Sequence, residues 1–398
     1  SALAETQAKA PADLKVNTPG VYYIAGYEVG YEYSPMAAYV SFVYAGDGTP
    51  ESLSCGGVTV KRVPTTITKD SSAVHDVTEI ERVETFTLES IVPFLPTTDT
   101  NRTYQIIDEM TGAEYVTETE GEHVGKIKVQ VKVGEGQGAF EKTYYVDASE
   151  GAFKDVYGKD ASVKTFTLDL STDLFVKNTD EKHNDYANQK LVITYQVKIT
   201  DVKVGNTVHA GDGTTEGKDK YGSDREKMYT GQITITKYAE DADNDNLTNN
   251  LKLGGAEFVV SRNKYTYDGN GNKIPVTNAK QYAMFDTTNH LTGWVDEKDD
   301  ATPITTSEES ATLGTVTVYG LDAGTYYFEE TKAPEGYSVN TTPTEVELTV
   351  GTTVNEDVDE EGNAIKVFIS DDKYMLDTKL SSLPSTGGIG TTIFTIGG

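Results

Sequence analysis

The chain has 398 residues, too many for one ordinary domain, and its length predicts two to four domains, each large enough to bury its own core. A formal charge of -29 argues against nucleic acid and anionic membrane surfaces as partners, because both repel so acidic a protein. A single cysteine, Cys55, excludes an internal disulfide framework, so a chain working outside the cell must be braced by something else.

The chain starts Ser1-Ala2-Leu3-Ala4-Glu5, which has the A-x-A form of a signal-peptide cleavage region, and the expectation is a secreted protein whose leader has been removed. Residues 1–57 hold two alternating runs, Gly20-Val21-Tyr22-Tyr23-Ile24 and Ala38-Tyr39-Val40-Ser41-Phe42-Val43-Tyr44, with Gly46-Asp47-Gly48-Thr49-Pro50 as a turn. They read as a β segment or a truncated N-terminal domain. From 58 to 229 short alternating strands follow one another between Gly, Asp and Asn turns, among them Glu84-Thr85-Phe86-Thr87-Leu88, Tyr104-Gln105-Ile106-Ile107-Asp108, Lys126-Ile127-Lys128-Val129-Gln130-Val131 and Leu191-Val192-Ile193-Thr194-Tyr195-Gln196-Val197. No long 3.6-residue periodicity competes with them. Residues 210–224 are rich in Gly, Asp and Lys and read as the loop that leaves this domain. A third unit, 230–376, opens with Gly231-Gln232-Ile233-Thr234-Ile235-Thr236-Lys237 and closes with Lys366-Val367-Phe368-Ile369-Ser370-Asp371. The fold class is therefore all-β, with tandem immunoglobulin-like β-sandwich domains and a tail from 377 to 398.

That tail holds Leu383-Pro384-Ser385-Thr386-Gly387 after a polar, Ser-rich lead-in and before an apolar run too short to span a bilayer. The order resembles the sorting signal of Gram-positive wall-attached proteins and pilins, with its apolar span cut short. The resemblance implies that a sortase cysteine attacks the Thr386 carbonyl, releases Gly387 onward and passes the acyl group to cell-wall peptide or to a lysine of another subunit. Shaft pilins typically carry that lysine in a Tyr-Pro-Lys type motif. No such string is present; the nearest is Phe175-Val176-Lys177-Asn178, where Lys177 reads either as the acceptor or as an exposed strand-end lysine.

The string Glu330-Thr331-Lys332-Ala333-Pro334-Glu335-Gly336-Tyr337 matches the E-box of pilins, and residues 230–376 resemble the immunoglobulin-like B-type domain of Gram-positive collagen adhesins and pilins. In that family a first-strand lysine joins a last-strand Asn or Asp through a spontaneous side-chain amide, assisted by the E-box glutamate. Strand parity agrees: Ile233, Ile235 and Lys237 share a face, as do Tyr326, Phe328 and Glu330, and Val367, Ile369 and Asp371. Three ionisable side chains turned toward one core need a reason. Burial supplies a mechanism, since a desolvated lysine favours its nucleophilic neutral form and a desolvated glutamate its protonated form. Lys237 would attack the Asp371 carboxyl group while Glu330 polarises it and relays protons; Asp372 and Glu329 fall on the opposite parity as second choices. A buried ion pair that never reacts is the alternative.

Residues 58–229 resemble the middle domain of sortase-assembled backbone pilins, with Lys61, Asp108 and Asn206 in the matching places. Tyr104, Ile106 and Asp108 share a face, and so do Val202, Val204 and Asn206. Lys61 alternates with Thr59 and Val63 against Val58 and Val60, so a solvated lysine is an equal reading.

Other chemistry has little foothold. Asp241-Ala242-Asp243-Asn244-Asp245 begins like a calcium loop, but Asn246 stands where glycine is required and Lys252 where the bidentate glutamate belongs. Asp268-Gly269-Asn270-Gly271-Asn272 reads as a hairpin turn. The five histidines, His75, His123, His183, His209 and His290, lack zinc-like spacing. No phosphate loop and no nucleophile elbow is present. The expectation is a non-enzymatic surface protein without metal or cofactor, located in the wall or pilus of a Gram-positive cell. Its partners would be a sortase, other pilin subunits, peptidoglycan and a host or surface ligand. A shaft subunit polymerised by sortase is the first reading, and a monomeric adhesin anchored once to peptidoglycan is the second.

Overall fold

A computed structural model describes residues 16–24, 26, 31–33, 36–58, 62–95, 102–136, 138–148, 163–175, 183–240, 247, 250–267, 273–349, 357–358, 364–365, 368–369 and 373–380. The protein is almost wholly β. Among the described residues no helix is long and apolar enough to cross a membrane. The N-terminal part is a three-stranded antiparallel sheet of Gly20–Ile24, Met36–Tyr44 and Pro50–Cys55, and Tyr31–Tyr33 pairs with Arg62–Pro64.

Two sandwiches follow. In the first, one sheet runs Phe140–Asp147, Lys126–Val133, Lys190–Ile199, Val83–Ile91, Ile67–Ser71, with Ala113–Tyr115 also on Lys190–Ile199. The facing sheet runs Lys164–Asp169, Gln105–Thr111, Lys203–Gly211, Ser223–Tyr229. Every second residue of Lys126–Val133 is buried, from Ile127 to Val133, which is how a strand covers a core with one face and meets water with the other. Phe86, Leu88, Ile106, Val129, Phe166, Ile193 and Val204 meet between the sheets.

The second sandwich pairs a sheet of Thr315–Leu321, Gly231–Ala239 and two short strands, Phe368–Ile369 and Lys373–Asp377, with a sheet running Leu291–Val295, Lys273–Phe285, Glu257–Tyr267, Gly324–Lys332, Thr344–Leu348. Its opening strand, Gly231–Ala239, lies parallel to the closing strand, Lys373–Asp377, in a register that runs from Ile235 opposite Lys373 to Ala239 opposite Asp377. Parallel neighbours need a long crossover, and here nearly the whole sandwich supplies it.

The two cores divide along the chain between Met228 and Ile233, with one exception. Val77 and Ile80, early in the chain, belong to the later core. The Ile80 amide donates to the Gly320 carbonyl at 3.0 Å. Gly320 has a φ of +86°, and a Cβ there would lie 2.5 Å from Ile80 Cδ1, so only glycine allows this approach. Around it, Arg262 reaches Glu79 with both terminal nitrogens, at 2.5 and 3.2 Å, and lies 3.7 Å from the centre of the Trp294 ring. Arg82 and Lys273 converge on Asp322, at 2.5 and 2.8 Å. Burial raises the Asp322 carboxyl group, but these two cations outweigh it and hold the group below the usual carboxylate value.

Candidate functional site

Among the described residues each sandwich buries one lysine against a carboxyl group. In the later one, Gly231–Ala239 buries Gly231, Ile233, Ile235 and Lys237 in strict alternation, so Lys237 sits in the apolar register with no exposure. Gly324–Lys332 does the same with Tyr326, Phe328 and Glu330. Lys237 Nζ lies 3.0 Å from Glu330 Oε1, within contact of Asp377 Oδ1, and 5.6 Å from the centre of the Phe258 ring. Burial pushes the Asp377 carboxyl group up to about 6; Lys237 pulls it down and Glu330 pushes it up. Asn340 holds the cluster together. Its amide N–H donates to Glu330 Oε2 at 2.6 Å, and its side chain donates to the Leu376 carbonyl at 2.9 Å, one residue before Asp377.

The carboxyl group brought to Lys237 is Asp377, in place of the expected Asp371, which lies outside the described residues. The physical reason is the position of the closing strand. Lys373–Asp377, six residues beyond the expected end, carries the ladder beside Lys237. An offset of six, about 20 Å of extended chain, is even, so Asp371 and Asp377 share parity and alternation cannot separate them. Glu329, the second choice on the opposite parity, faces outward to Ser261, Lys280 and Lys298.

In the earlier sandwich the lysine is Lys69 on Ile67–Ser71, in place of the expected Lys61, which lies outside the described residues. Asp108 and Asn206 stand on adjacent strands, Gln105–Thr111 and Lys203–Gly211, and both are fully buried. Lys69 reaches across from the opposite sheet. Its Nζ contacts Asp108 Oδ2 and donates to Tyr195 Oη at 2.6 Å. Tyr195 Oη donates to Asp108 Oδ2 at 2.6 Å and accepts from Asn206 Nδ2 at 3.0 Å, and Tyr115 Oη donates to Asp108 Oδ1 at 2.7 Å. Burial lowers the Lys69 amine below its ordinary value, against the pull of Asp108, and so favours the neutral nucleophile. Asn206 Oδ1 is buried without a hydrogen-bond partner among the described residues. Tyr195, Tyr115 and Asn340 were not among the sequence candidates.

One signal would have found Lys69. Thr66-Ile67-Thr68-Lys69 repeats Thr234-Ile235-Thr236-Lys237 letter for letter, and both lysines end the same inward alternation. The remaining candidates, Lys177, Asp372, the loops at 241–246 and 268–272, and Leu383, Pro384, Ser385, Thr386 and Gly387, lie outside the described residues.

Fold and sites together define a class: tandem β-sandwiches, each with a buried lysine facing a carboxyl-bearing neighbour. Residues 231–362 match the family model described as SpaA, prealbumin-like fold domain. No curated protein matches the chain. Among solved structures the chain is similar to the pilus 2b backbone protein of group B streptococcus, at 18% identity and a TM-score of 0.47, over 78% of this chain and 97% of that one. It is similar to the full-length RrgB pilus protein of Streptococcus pneumoniae, at 16% and 0.45, over 82% and 74%. It is also similar to the major pilin SpaA of Corynebacterium diphtheriae, at 12% and 0.41, over 92% and 82%.

Proposed function

We propose that the protein is a structural subunit of a cell-wall pilus, joined to its neighbours by a sortase and braced by two internal amide bonds, Lys237 to Asp377 and Lys69 to Asn206. The observation that carries this reading is the buried set of Lys237, Glu330 and Asp377, which spans the opening and closing strands of one sandwich. With its value near 6, Asp377 holds its proton to a higher pH than an ordinary carboxyl group. A neutral Lys237 amine attacks Asp377 Cγ, Glu330 carries protons between the two, and one water leaves. In the earlier sandwich the acceptor is an amide, Asp108 takes the part of Glu330, and ammonia leaves.

The placement suits a load-bearing protein. Tension arriving at Gly231 crosses at Lys237 to the closing strand and leaves toward Thr386, so most of the 230–376 unit is relieved of load. The matched prealbumin-like segment, the E-box string and Leu383-Pro384-Ser385-Thr386-Gly387 support the same reading. The units 1–57, 58–229, 230–376 and 377–398 are then a β segment, two crosslinked sandwiches and a sorting tail, with the last boundary moved past Asp377, which closes the second sandwich. The test is peptide analysis of surface fibres. A branched peptide joining Thr386 to a lysine of another copy is expected, with Lys177 the first lysine to examine. Thr386 found only on cell-wall peptide would replace the shaft subunit with a singly anchored adhesin.

A further inference from the structure

We infer that Tyr195 is a catalytic residue of the Lys69–Asn206 bond, its phenol passing a proton from the attacking lysine nitrogen to the departing amide nitrogen. The inference rests on the reading of these two residues as bond partners.

Tyr195 Oη is the point where the reacting groups meet: 2.6 Å from Lys69 Nζ, 2.6 Å from Asp108 Oδ2 and 3.0 Å from Asn206 Nδ2. Its ring is fixed on both sides, stacked on Phe86 with centroids 5.7 Å apart and edge-on to Phe166 at 5.0 Å. The hydroxyl therefore has little freedom except to rotate about its own bond.

The proton count gives it work. In passing from ammonium to amide, Lys69 Nζ loses two protons, while Asn206 Nδ2 gains one and leaves as ammonia. Asp108 Oδ2, in contact with Nζ, takes the first proton and frees the lone pair. While Asp108 is ionised, the Tyr195 hydrogen points at Oδ2; once Oδ2 is protonated it accepts far less well, and the phenol hydrogen can turn to Nδ2. The Nζ–Cγ bond forms, the second Nζ proton moves to Tyr195 Oη, the phenol hydrogen moves to Nδ2, and the Cγ–Nδ2 bond breaks. Tyr195 ends as the phenol it began as, Asp108 ends as a neutral acid, and one ammonia departs. Burial first, and then Asp108, push the Tyr195 phenol well above its ordinary value, so a free phenolate is disfavoured and the two transfers must be coupled. Tyr115 provides an internal comparison. It too is buried and donates to Asp108 Oδ1, but it has no hydrogen bond to either nitrogen.

The experiment uses the full chain, recovered unreacted from inclusion bodies and refolded by dilution, with ammonia loss followed by mass on the fragment holding Lys69 and Asn206. Tyr195→Phe is expected to slow the loss about 10²–10⁴-fold, as for removal of a positioned proton-transfer group, and Tyr115→Phe far less. Equal slowing in both variants, or none in Tyr195→Phe, overturns the relay. Should Tyr195→Phe fail to fold, 3,5-difluorotyrosine at position 195 keeps ring and hydroxyl but makes the phenol more acidic. A changed rate with a changed pH profile is then expected, and an unchanged rate overturns the inference. Wild type that refolds yet keeps its ammonia removes the bond itself, a result distinct from wild type and Tyr195→Phe reacting alike, which removes only the relay.

Discussion

Replacing Asp377 with alanine removes the carbon that Lys237 would attack and leaves Glu330 as its neighbour. The proposed Lys237–Asp377 bond would close a loop of about 140 residues, and the chain-entropy relation for crosslinks then gives roughly 5 kcal/mol as the greatest loss. For a domain of this size 1 kcal/mol shifts the melting temperature by about 2–4 °C, so the expected fall is about 10–20 °C. Glu330 stays 3.0 Å from Lys237, so the amine keeps a carboxyl neighbour and the loss reports mainly the crosslink. Calorimetry measures the shift, and intact mass shows whether the water has been regained. Asp371→Ala serves as the control and should melt with wild type and keep the crosslinked mass. If Asp377→Ala melts with wild type and its mass shows no regained water, the assignment fails.

Asp377→Asn should still form the bond but release ammonia in place of water, which intact mass reads directly; a variant at its full unreacted mass would show that the acceptor is elsewhere. Arg262→Met takes the bidentate partner from buried Glu79 but leaves Arg82 3.4 Å away, so the cost should fall below the roughly 3–5 kcal/mol of a buried charge left wholly unpaired. Calorimetry should then resolve two transitions where wild type shows one, and an unchanged trace would mean that the junction carries no coupling. His209 is flanked by Glu109 at 3.3 Å and Asp219 at 2.6 Å. Burial lowers it, but the two carboxylates raise it further, above its ordinary 6.5. Its contribution is therefore complete below that value and lost as pH rises through the raised one. The stability difference between wild type and His209→Gln, from denaturant melts, should shrink with rising pH; a difference independent of pH would refute it.

Parity carried most of what was legible in the sequence. Lys237 and Glu330 each end a run of alternating apolar residues, Ile233 and Ile235 in one case, Tyr326 and Phe328 in the other, and both face inward as alternation requires. Asp108 and Asn206 were reached by the same reasoning joined to a family resemblance. Parity is blind to a shift by an even number of residues, which is why alternation cannot separate Asp371 from Asp377; Lys61 rested on the family resemblance and not on parity, and the buried lysine is Lys69 on Ile67–Ser71. The strands concerned carry weak signals. Ile67–Ser71 has Ile67 as its one apolar residue, and Lys373–Asp377 buries only Met375 and Asp377. The insertion of Val77 and Ile80 into the later core had no local signature, because it depends on a surface built by residues more than 120 positions away. Tyr195 read as one aromatic in a strand, and only Lys69 on its own sheet with Asp108 and Asn206 on the facing one give its hydroxyl a task.

Intact mass of the purified wild-type chain, followed by fragmentation, bears most directly on the claim that both buried lysines react. The expected mass lies one water and one ammonia below that of the sequence, with crosslinked peptides joining Lys237 to Asp377 and Lys69 to Asn206. A chain at its full sequence mass, with these four side chains recovered in ordinary linear peptides, would contradict the account and leave two buried polar clusters that never react.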